Sequence, residues 1–146
     1  MALKSSQIHI VLVEDNPADV VLARMTLDAV RKNEEQCSYE LTVLTDGARA
    51  VSYFADESGP RPDLVILDLN LPKVSGFEVL ERIRKQAMYE DLDVIILSSS
   101  DAPSDRERAQ KLGVREYFHK PGSLPGYQEL AGRGRVIGRK LIARKR

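Results

Sequence analysis

Short apolar segments alternate along this chain with longer segments that have the residue spacing of helices. The apolar segments lie at 8–13, 64–67, 94–97 and 117–119. Strands that alternate with helices are typical of repeated strand–helix–strand units, and these units build parallel sheets. Crossovers between parallel strands are right-handed, so all strands present their carboxyl ends at one edge of the sheet. The alternation therefore predicts an α/β domain in which the residues that follow the strands lie close together.

The complete pattern of five strands and five helices is typical of a doubly wound, flavodoxin-like parallel sheet, for which we expect the strand order 2-1-3-4-5. In that order strands 1 and 3 are neighbours at the switch point, where such folds bind their ligands. Strands made almost wholly of Val, Ile and Leu, such as 64–67, are expected when helices cover both faces of the sheet. The predicted strands are 8–13, 40–44, 64–68, 93–98 and 116–119, and the predicted helices are about 17–31, 47–55, 76–86, 103–112 and one that begins near Pro125.

The predicted strands end at residues suited to phosphate chemistry. Glu14 and Asp15 follow the first strand, and Asp68 ends the third. The fourth strand runs into Ser98, and the fifth is followed by Lys120. Carboxylates are ligands of hard cations, and a lysine is a point charge for phosphate. Three carboxylates, a hydroxyl and a lysine at one edge therefore predict a site that binds a metal ion and handles phosphate.

In the order and spacing of these segments, the chain resembles the receiver domain of two-component response regulators, the CheY-like superfamily. The resemblance covers nearly the whole chain. Each motif is short, but their combination at four successive strand ends is specific. The motifs are VLVEDN at 11–16, LVILDLNLPKVSG at 64–76, VIILSSS at 94–100 and YFHKP at 117–121.

A finer resemblance is to the phytochrome-associated stand-alone response regulators of cyanobacteria and other bacteria. It rests on the residues that open the first helix at 16–19, on a long first loop at 31–39 and on an insert at 57–62. This resemblance implies a sensor histidine kinase of the phytochrome type as the partner.

The resemblance implies a role for most of the strand-end residues. Asp68 is expected to be the phosphoacceptor, Lys120 the phosphate-binding lysine, Ser98 the switch hydroxyl and Tyr117 the switch aromatic. A phosphate on Asp68 is expected to draw Ser98 towards it, and Tyr117 then occupies the vacated space. The resemblance also implies a cis peptide bond before Pro121, which holds the lysine inward.

Mg²⁺ is the expected cofactor. It takes oxygen ligands in near-octahedral geometry and keeps several waters, so one or two direct carboxylates are usual. Asp15 and Asp68 are the expected direct ligands, Glu14 is expected to act through water, and the resemblance adds the backbone carbonyl of Asn70. It further implies that Asn70 and Ser100 tune the lifetime of the phosphate.

These inferences predict a stand-alone response regulator that takes a phosphoryl group from a sensor histidine kinase and signals through protein contacts. The resemblance places the output surface on the last two strands and helices. The chain is not expected to be an enzyme beyond Mg²⁺-dependent self-phosphorylation and autodephosphorylation. At 146 residues it suits one receiver domain, 1–146, with a core of about 7–130.

Composition predicts a cytoplasmic protein that does not enter the membrane. No apolar stretch approaches the roughly 18 residues that span a bilayer. The single cysteine, Cys37, forms no internal disulfide and is expected to carry a surface thiol, which fits a reducing compartment.

Other functional classes fit the sequence less well. A hydrolase of the haloacid dehalogenase type has a second Asp two residues after its nucleophile, and that position is Asn70 here. A nucleotide-binding module requires a glycine-rich loop after the first strand, and this chain has acids there. His9 and His119 lie in predicted strands without a partner at metal-ligand spacing, so neither is expected to accept phosphate. Asp19 and Asp28 are interpreted as a solvated helix face.

The net charge of zero hides an uneven distribution. Residues 1–129 contain all 22 Asp and Glu but 15 of the 22 Lys and Arg, and residues 130–146 contain the other 7 bases and no acid. Because the body is acidic, we expect this basic tail, about 125–146, to dock on a second copy of the chain or on the kinase, with a homodimer favoured. Binding of nucleic acid or another anionic partner is the alternative, disfavoured because no aromatic residues are interleaved with the bases.

Apolar residues in the tail recur at helical spacing, but its glycines have a low propensity for helix. Gly132, Gly134 and Gly138 together cost an isolated helix about 3 kcal/mol, which exceeds the contribution of surface charge pairs. Packing against the sheet or a partner must therefore hold the helix. The seam expected to be buried comprises Leu124, Tyr127, Leu130, Gly134, Ile137 and Leu141, with Arg133, Arg139, Lys140 and Arg144 turned to solvent.

Overall fold

The computed structural model describes residues 6–31 and 37–145. Within these ranges the chain forms five β-strands and five α-helices in the predicted alternation, with one short 3₁₀ turn at Ala87–Tyr89. The strands are β1 (Ser6–Val13), β2 (Cys37–Leu44), β3 (Leu64–Leu67), β4 (Asp93–Ser98) and β5 (Glu116–His119). The helices are α1 (Pro17–Arg31), α2 (Gly47–Ala55), α3 (Gly76–Lys85), α4 (Pro103–Lys111) and α5 (Leu124–Lys145).

All five strands are parallel, and their order is β2-β1-β3-β4-β5, as predicted. β1 lies between β2 and β3, with Val13 paired to both Leu44 and Leu67. The backbone continues this pairing beyond the strands, because the N–H of Asp68 donates to the carbonyl of Val13 at 3.1 Å. The residues that follow β1 and β3 are therefore neighbours at one edge.

Two strands begin earlier than predicted. β1 begins at Ser6 and β2 at Cys37, because the two pair in register from these residues onward. Hydrogen bonds to a neighbouring strand extend segments whose own composition is too polar to indicate a strand. The loop predicted at 31–39 is correspondingly shorter, and its residues 32–36 lie outside the described residues. The side chain of Cys37, predicted to carry a surface thiol, also lies outside them.

Helices cover both faces of the sheet, and each face has its own core. Alternate strand residues such as Val11 and Val65 point to the core under α2, α3 and α4, where Phe54 and Leu80 are buried. The intervening residues belong to the core under α1 and α5. Apolar strand runs without a polar alternation result from this two-sided burial.

The basic C-terminal segment is a helix that packs on the molecule itself. Ile137 and Leu141 are buried in the core on the α1 side. Gly134 and Gly138 face Val30 of α1, where an added Cβ would lie 3.3 Å and 3.7 Å from its methyl carbons. Intramolecular packing therefore offsets the cost of the glycines. One seam prediction was wrong, because Leu124 at the start of the helix is 54% exposed.

Alanine substitutions in α5 should separate helix propensity from helix packing. Gly132→Ala should raise the free energy of unfolding by about 1 kcal/mol, because no atom lies within 4 Å of the added methyl group. Gly138→Ala should stabilise the protein by nearly as much, since its added methyl group makes an ordinary van der Waals contact with Val30. Gly134→Ala should stabilise the protein less, because the added methyl group lies only 3.3 Å from a methyl carbon of Val30, which must shift to make room. Urea unfolding measures all three variants, and an equal gain for Gly134→Ala would contradict the close approach of α1 and α5.

Arg84 holds together the loop before β4 and the residues that follow α4. Its Nη1 donates to the carbonyls of Tyr89, Glu90 and Leu92 at 3.0, 3.3 and 2.7 Å. Its Nε and Nη2 donate to the carbonyls of residues 112 and 113, at the end of α4, at 2.8 and 3.0 Å. Burial lowers the pKa of Arg84 from its ordinary value, although Asp93 and Asp91 oppose the shift. One side chain therefore satisfies backbone groups before β4 and after α4, and fixes these elements relative to each other.

Candidate functional site

Three predicted site carboxylates come together at the carboxyl edge of the sheet. One oxygen from each of Glu14, Asp15 and Asp68 lies within 4.8 Å of the others. Glu14 and Asp68 are each 3% exposed, whereas Asp15 is open to solvent. The convergence follows from the pairing of β1 with β3, which brings the residues after Val13 next to the residue after Leu67.

Lys120 reaches the same cluster from the end of β5. Its Nζ lies 3.0 Å from Glu14 Oε2, 3.0 Å from Asp68 Oδ2 and 2.9 Å from Asp19 Oδ2. Its backbone N–H donates to the carbonyl of Ser98 at 2.7 Å, which extends the pairing of β4 with β5. Burial by itself would lower the pKa of Lys120, but the hydrogen bonds to the three carboxylates outweigh it and raise that pKa.

Two expectations around Lys120 were wrong. The peptide bond before Pro121 is trans, and the lysine reaches the carboxylates from this backbone, so a cis bond is not needed to hold it inward. Asp19 is not part of a solvated face, because its side chain is 23% exposed and pairs with Lys120. The first turn of α1 lies over the edge of the sheet and turns Asp19 towards the site. Asp28, about two and a half turns further along α1, is exposed as predicted and accepts a hydrogen bond from Tyr39 Oη at 2.5 Å.

The cluster carries more negative than positive charge. Burial raises the pKa of Glu14 to about 7, and the charge of Asp68 adds to the shift, while hydrogen bonds from Lys120 and Asn16 oppose it. Three carboxylates pair with Lys120, and the exposed Asp15 lies beside two of them, Glu14 and Asp68. A cation at this point would favour their ionised forms, so the donor set fits a hard divalent ion.

Two glycines that the sequence analysis did not single out shape the loop after Asp68. A Cβ on Gly76 would lie 2.2 Å from the backbone oxygen of Asp68, and a Cβ on Gly47 would lie 2.1 Å from that of Val74. Neither distance is possible for a real side chain, so the starts of α2 and α3 approach the loop closely only because these residues are glycine. The N–H of Asn70, within the same loop, donates to Asp68 Oδ1 at 3.0 Å. The loop therefore holds one carboxylate oxygen while Lys120 holds the other.

The serines after β4 differ in their positions. Ser98 is fully buried at the last residue of β4, and its Oγ accepts hydrogen bonds from the N–H of Ser100 at 3.2 Å and from Asn70 Nδ2 at 3.5 Å. Ser99 is exposed, and its Oγ also accepts from Asn70 Nδ2, at 3.1 Å. The side chain of Asn70 thus points to the serines, and this geometry favours Ser98 over Ser99 as the buried hydroxyl of the site.

Tyr117 lies next to the same loop. Its Oη donates to the carbonyl of Ser100 at 2.8 Å. Burial raises the pKa of Tyr117, and the hydrogen bond to Ser100 opposes the shift. The hydroxyl of Ser100 donates in turn to Asp105 Oδ2 at 2.5 Å. The two predicted switch residues, Ser98 and Tyr117, are therefore both hydrogen-bonded to Ser100.

The two histidines have structural partners elsewhere. His9 lies within β1, and its Nε2 is 3.0 Å from the hydroxyl of Thr42. The Nε2 of His119 is 3.0 Å from the carbonyl of Ser99. Within the described ranges, neither histidine belongs to the group of side chains with metal-binding geometry.

Comparison with known proteins gives the family. The model of the response regulator receiver domain matches residues 10–129. The chain belongs to the response regulator receiver family. Proteins of this family act in two-component signalling, interact with histidine kinases and are signalling proteins rather than enzymes.

The relatives of this receiver include phytochrome response regulators, as predicted. It is 34% identical over 119 residues to the response regulator Rcp1 of Synechocystis sp., covering 79% of this chain and 78% of Rcp1. The phosphorylated cyanobacterial phytochrome response regulator RcpA has a TM-score of 0.76 and 32% identity, covering 90% of this chain and 91% of that chain. The receiver spans about half the length of several other curated relatives, so the stand-alone arrangement stays a prediction.

Solved structures of related receivers contain divalent metal ions. The Mn²⁺-bound form of Rcp1 has a TM-score of 0.76 and 32% identity, covering 85% of this receiver and 88% of that chain. The receiver domain of the sensor histidine kinase PA1611 from Pseudomonas aeruginosa PAO1, with a magnesium ion in its active-site cleft, has a TM-score of 0.66 and 26% identity, covering 88% of this receiver and 97% of that chain. Among the helices that the structure describes in this receiver, none is both long and apolar enough to cross a membrane.

Proposed function

We propose that this receiver accepts a phosphoryl group on Asp68 from a sensor histidine kinase, in the presence of Mg²⁺, and signals through protein contacts. The observation that carries the proposal is the position of Asp68, buried between the other carboxylates and hydrogen-bonded to Lys120 Nζ at 3.0 Å. Asp15, Asp68 and the backbone carbonyl of Asn70 are the proposed direct ligands of the ion, and Glu14 is proposed to act through a bound water. Mg²⁺, when bound, neutralises charge on the carboxylates and the incoming phosphoryl oxygens.

The side chains of the site account for the proposed transfer. The free lone pairs of Asp68 attack phosphorus, a P–O bond forms, and the P–N bond of the donor phosphohistidine breaks, leaving a neutral imidazole once it takes up a proton. Lys120 presents a fixed positive charge to the phosphoryl oxygens as Asp68 gives up its own negative charge. The N–H of Asn70 holds the second carboxylate oxygen. The protein thus contributes position and charge, which are the main requirements of phosphoryl transfer.

The phosphate would then act on the serine and tyrosine beside it. A phosphoryl group carries about −1.5 to −2 charge and strong acceptor oxygens, so it attracts the Ser98 hydroxyl. In the unphosphorylated structure, Ser98 Oγ accepts a hydrogen bond from the N–H of Ser100, and the carbonyl of Ser100 accepts one from Tyr117 Oη. Movement of Ser98 would therefore change both hydrogen bonds and the position of Tyr117. Asn70 and Ser100, two residues after Asp68 and Ser98 respectively, are the proposed determinants of phosphate lifetime.

Phosphorylation by a small donor tests the proposal. With Mg²⁺ and acetyl phosphate, intact-mass measurement should show one added phosphate, and borohydride trapping should place it on residue 68. Asp68→Asn should abolish the modification, and a chelator should prevent it. The matched control is Asp91→Asn, an exposed acid at the opposite end of the sheet, and it should react as the wild type does. Modification that persists in Asp68→Asn would refute the assignment.

We further propose a phytochrome-type kinase as the phosphodonor and a homodimer formed through the C-terminal half of a single receiver domain. Exposed Val136, on α5, supports such an interface, because a large apolar side chain is 53% open to solvent. Arg133 and Arg144 pair with acids of the same molecule, which leaves them less available to the phosphates of nucleic acid. Sedimentation should give a dimer mass that Val136→Glu reduces to a monomer. A monomer in both forms would refute the homodimer.

A further inference from the structure

Arg106 covers the outer face of the Tyr117 ring. It lies on α4, and its guanidinium carbon is 4.6 Å from the centroid of the ring. Its Nη1 also points to the backbone carbonyl of Tyr117 at 3.5 Å. A guanidinium at this distance over an aromatic face is attracted by the charge distribution of the ring. Tyr117 is therefore bounded by a cation on its outer side.

Asp101 orients the guanidinium. Its Oδ1 accepts from Arg106 Nε at 2.7 Å and lies 2.6 Å from Arg106 Nη2, so two nitrogens of the guanidinium engage one carboxylate oxygen. Asp101 belongs to the loop between β4 and α4, as does Ser100, whose carbonyl accepts from Tyr117 Oη. The ring is thus attached to the same loop twice, once through its hydroxyl and once through Arg106 and Asp101.

This loop begins at the buried site hydroxyl. The N–H of Ser100 donates to Ser98 Oγ, so a movement of Ser98 reaches the loop directly. Asp105, in the first turn of α4, accepts from the Ser100 hydroxyl and joins the loop to the helix that carries Arg106. These contacts connect Ser98 to Arg106 without passing through Tyr117.

We propose that Arg106, oriented by Asp101, is a positioning residue that holds Tyr117 against the β4–α4 loop and sets how readily the ring moves. The regulatory part of this inference rests on the proposed function, because it assumes that phosphate on Asp68 moves Ser98. The positional part concerns the unphosphorylated protein and is independent of it. Stacking and ion pairing at partly exposed sites are modest, so their loss should shift the ratio of held to released ring by about tenfold.

The experiment uses the full chain with labelled tyrosine rings, and Tyr117→Phe identifies the signal of Tyr117. In Arg106→Gln and in Asp101→Asn, the ring signal should shift, and a soluble paramagnetic agent should relax it more strongly than in the wild type. Arg106→Lys should restore part of the wild-type signal, because it keeps the charge but loses the planar stack. Urea unfolding of each variant confirms that it is folded.

The chain offers a matched control on the same helix. Arg108 stacks over Phe77 at 4.2 Å and pairs with Glu81 at 2.6 Å, so Arg108→Gln removes the same kind of contact from another ring. It should leave the Tyr117 signal unchanged. A wild-type signal in folded Arg106→Gln would overturn the inference, and so would an equal shift in Arg108→Gln.

Measuring the Tyr117 ring signal before and after treatment with acetyl phosphate tests this inference separately from the proposed function. If Asp68 is modified and the ring responds differently in Arg106→Gln and in the wild type, the regulatory part is supported. If Asp68 is modified but both proteins respond identically, the regulatory part is refuted while the proposed function stands. If Asp68 cannot be modified in the wild type, the proposed function and the regulatory part both fail, and the measurements without phosphodonor still decide the positional part.

Discussion

Lys120→Met should lower the free energy of unfolding by about 3 kcal/mol in the absence of divalent metal, because it removes a positive partner shared by three clustered carboxylates. The lysine contacts Glu14, Asp19 and Asp68 at 3.0 Å or less. Without it these acids repel one another in a site with little access to water. Added Mg²⁺ should recover part of the loss, since the ion supplies compensating charge to the same oxygens. Urea unfolding with Mg²⁺ and with chelator measures both effects.

The same substitution should slow phosphorylation of Asp68 by acetyl phosphate by at least tenfold, because the fixed charge that meets the phosphoryl group is lost. Lys111→Met is the matched control, since Lys111 is an exposed lysine of α4 whose ion pair with Glu107 lies in solvent. It should change the free energy of unfolding by less than about 0.5 kcal/mol. Equal stability losses in the two variants, or a loss for Lys120→Met that Mg²⁺ does not reduce, would contradict the charge balance described for the site.

Arg84→Met should lower the free energy of unfolding by about 3 kcal/mol or more. The guanidinium donates to five backbone carbonyls, and hydrogen bonds from charged groups contribute about 1.5–3 kcal/mol each before the cost of burying the arginine is subtracted. The methionine fills a similar volume but leaves these carbonyls without that donor. Because the same bonds join the start of β4 to the end of α4, thermal unfolding should also occur at a lower temperature.

Two variants make this expectation specific. Arg84→Lys should recover little, because a single ammonium group cannot reach the carbonyls before β4 and those after α4 together, as the planar guanidinium does. Arg82→Met removes an arginine of the same helix whose partner is the exposed Glu78, and its effect should stay below about 0.5 kcal/mol. A stability of Arg84→Met close to that of Arg82→Met would show that water replaces the guanidinium at little cost.

The site residues could be predicted because their positions follow from the topology. In a parallel sheet of order 2-1-3-4-5, the residues after β1 and β3 must be neighbours, so the proximity of Glu14, Asp15 and Asp68 did not depend on any detail of side-chain packing. Lys120 was predictable for the same reason, as it follows the last strand. The chemical roles of these residues stay predictions until phosphorylation is measured.

Other parts of the site depend on contacts between segments far apart in the chain. Asp19 has the spacing of a surface helix residue, and only the lie of α1 over the sheet edge brings it to Lys120, 101 residues further along. Gly47 and Gly76 resemble ordinary helix starts until the loop after Asp68 is placed against them. Arg106 and Asp101 could equally form a solvated pair, and the ring beneath them is apparent only when α4 and β5 are side by side.

The sequence alone determined the α/β class, most element boundaries and the edge where the acids and the lysine meet, because hydrophobic periodicity is a local property and crossovers between parallel strands have one hand. The strand order was predicted from the doubly wound fold of which this pattern is typical. Tertiary structure decided which surface the basic helix covers, how Arg84 joins its neighbouring loops and what holds Tyr117. For α5 the glycines predicted only that packing was required, and the close approach of Gly134 to Val30 identifies α1 as the surface that provides it. The contacts of α5, Arg84 and Tyr117 join segments that are distant in the sequence, so they form only when these segments pack together.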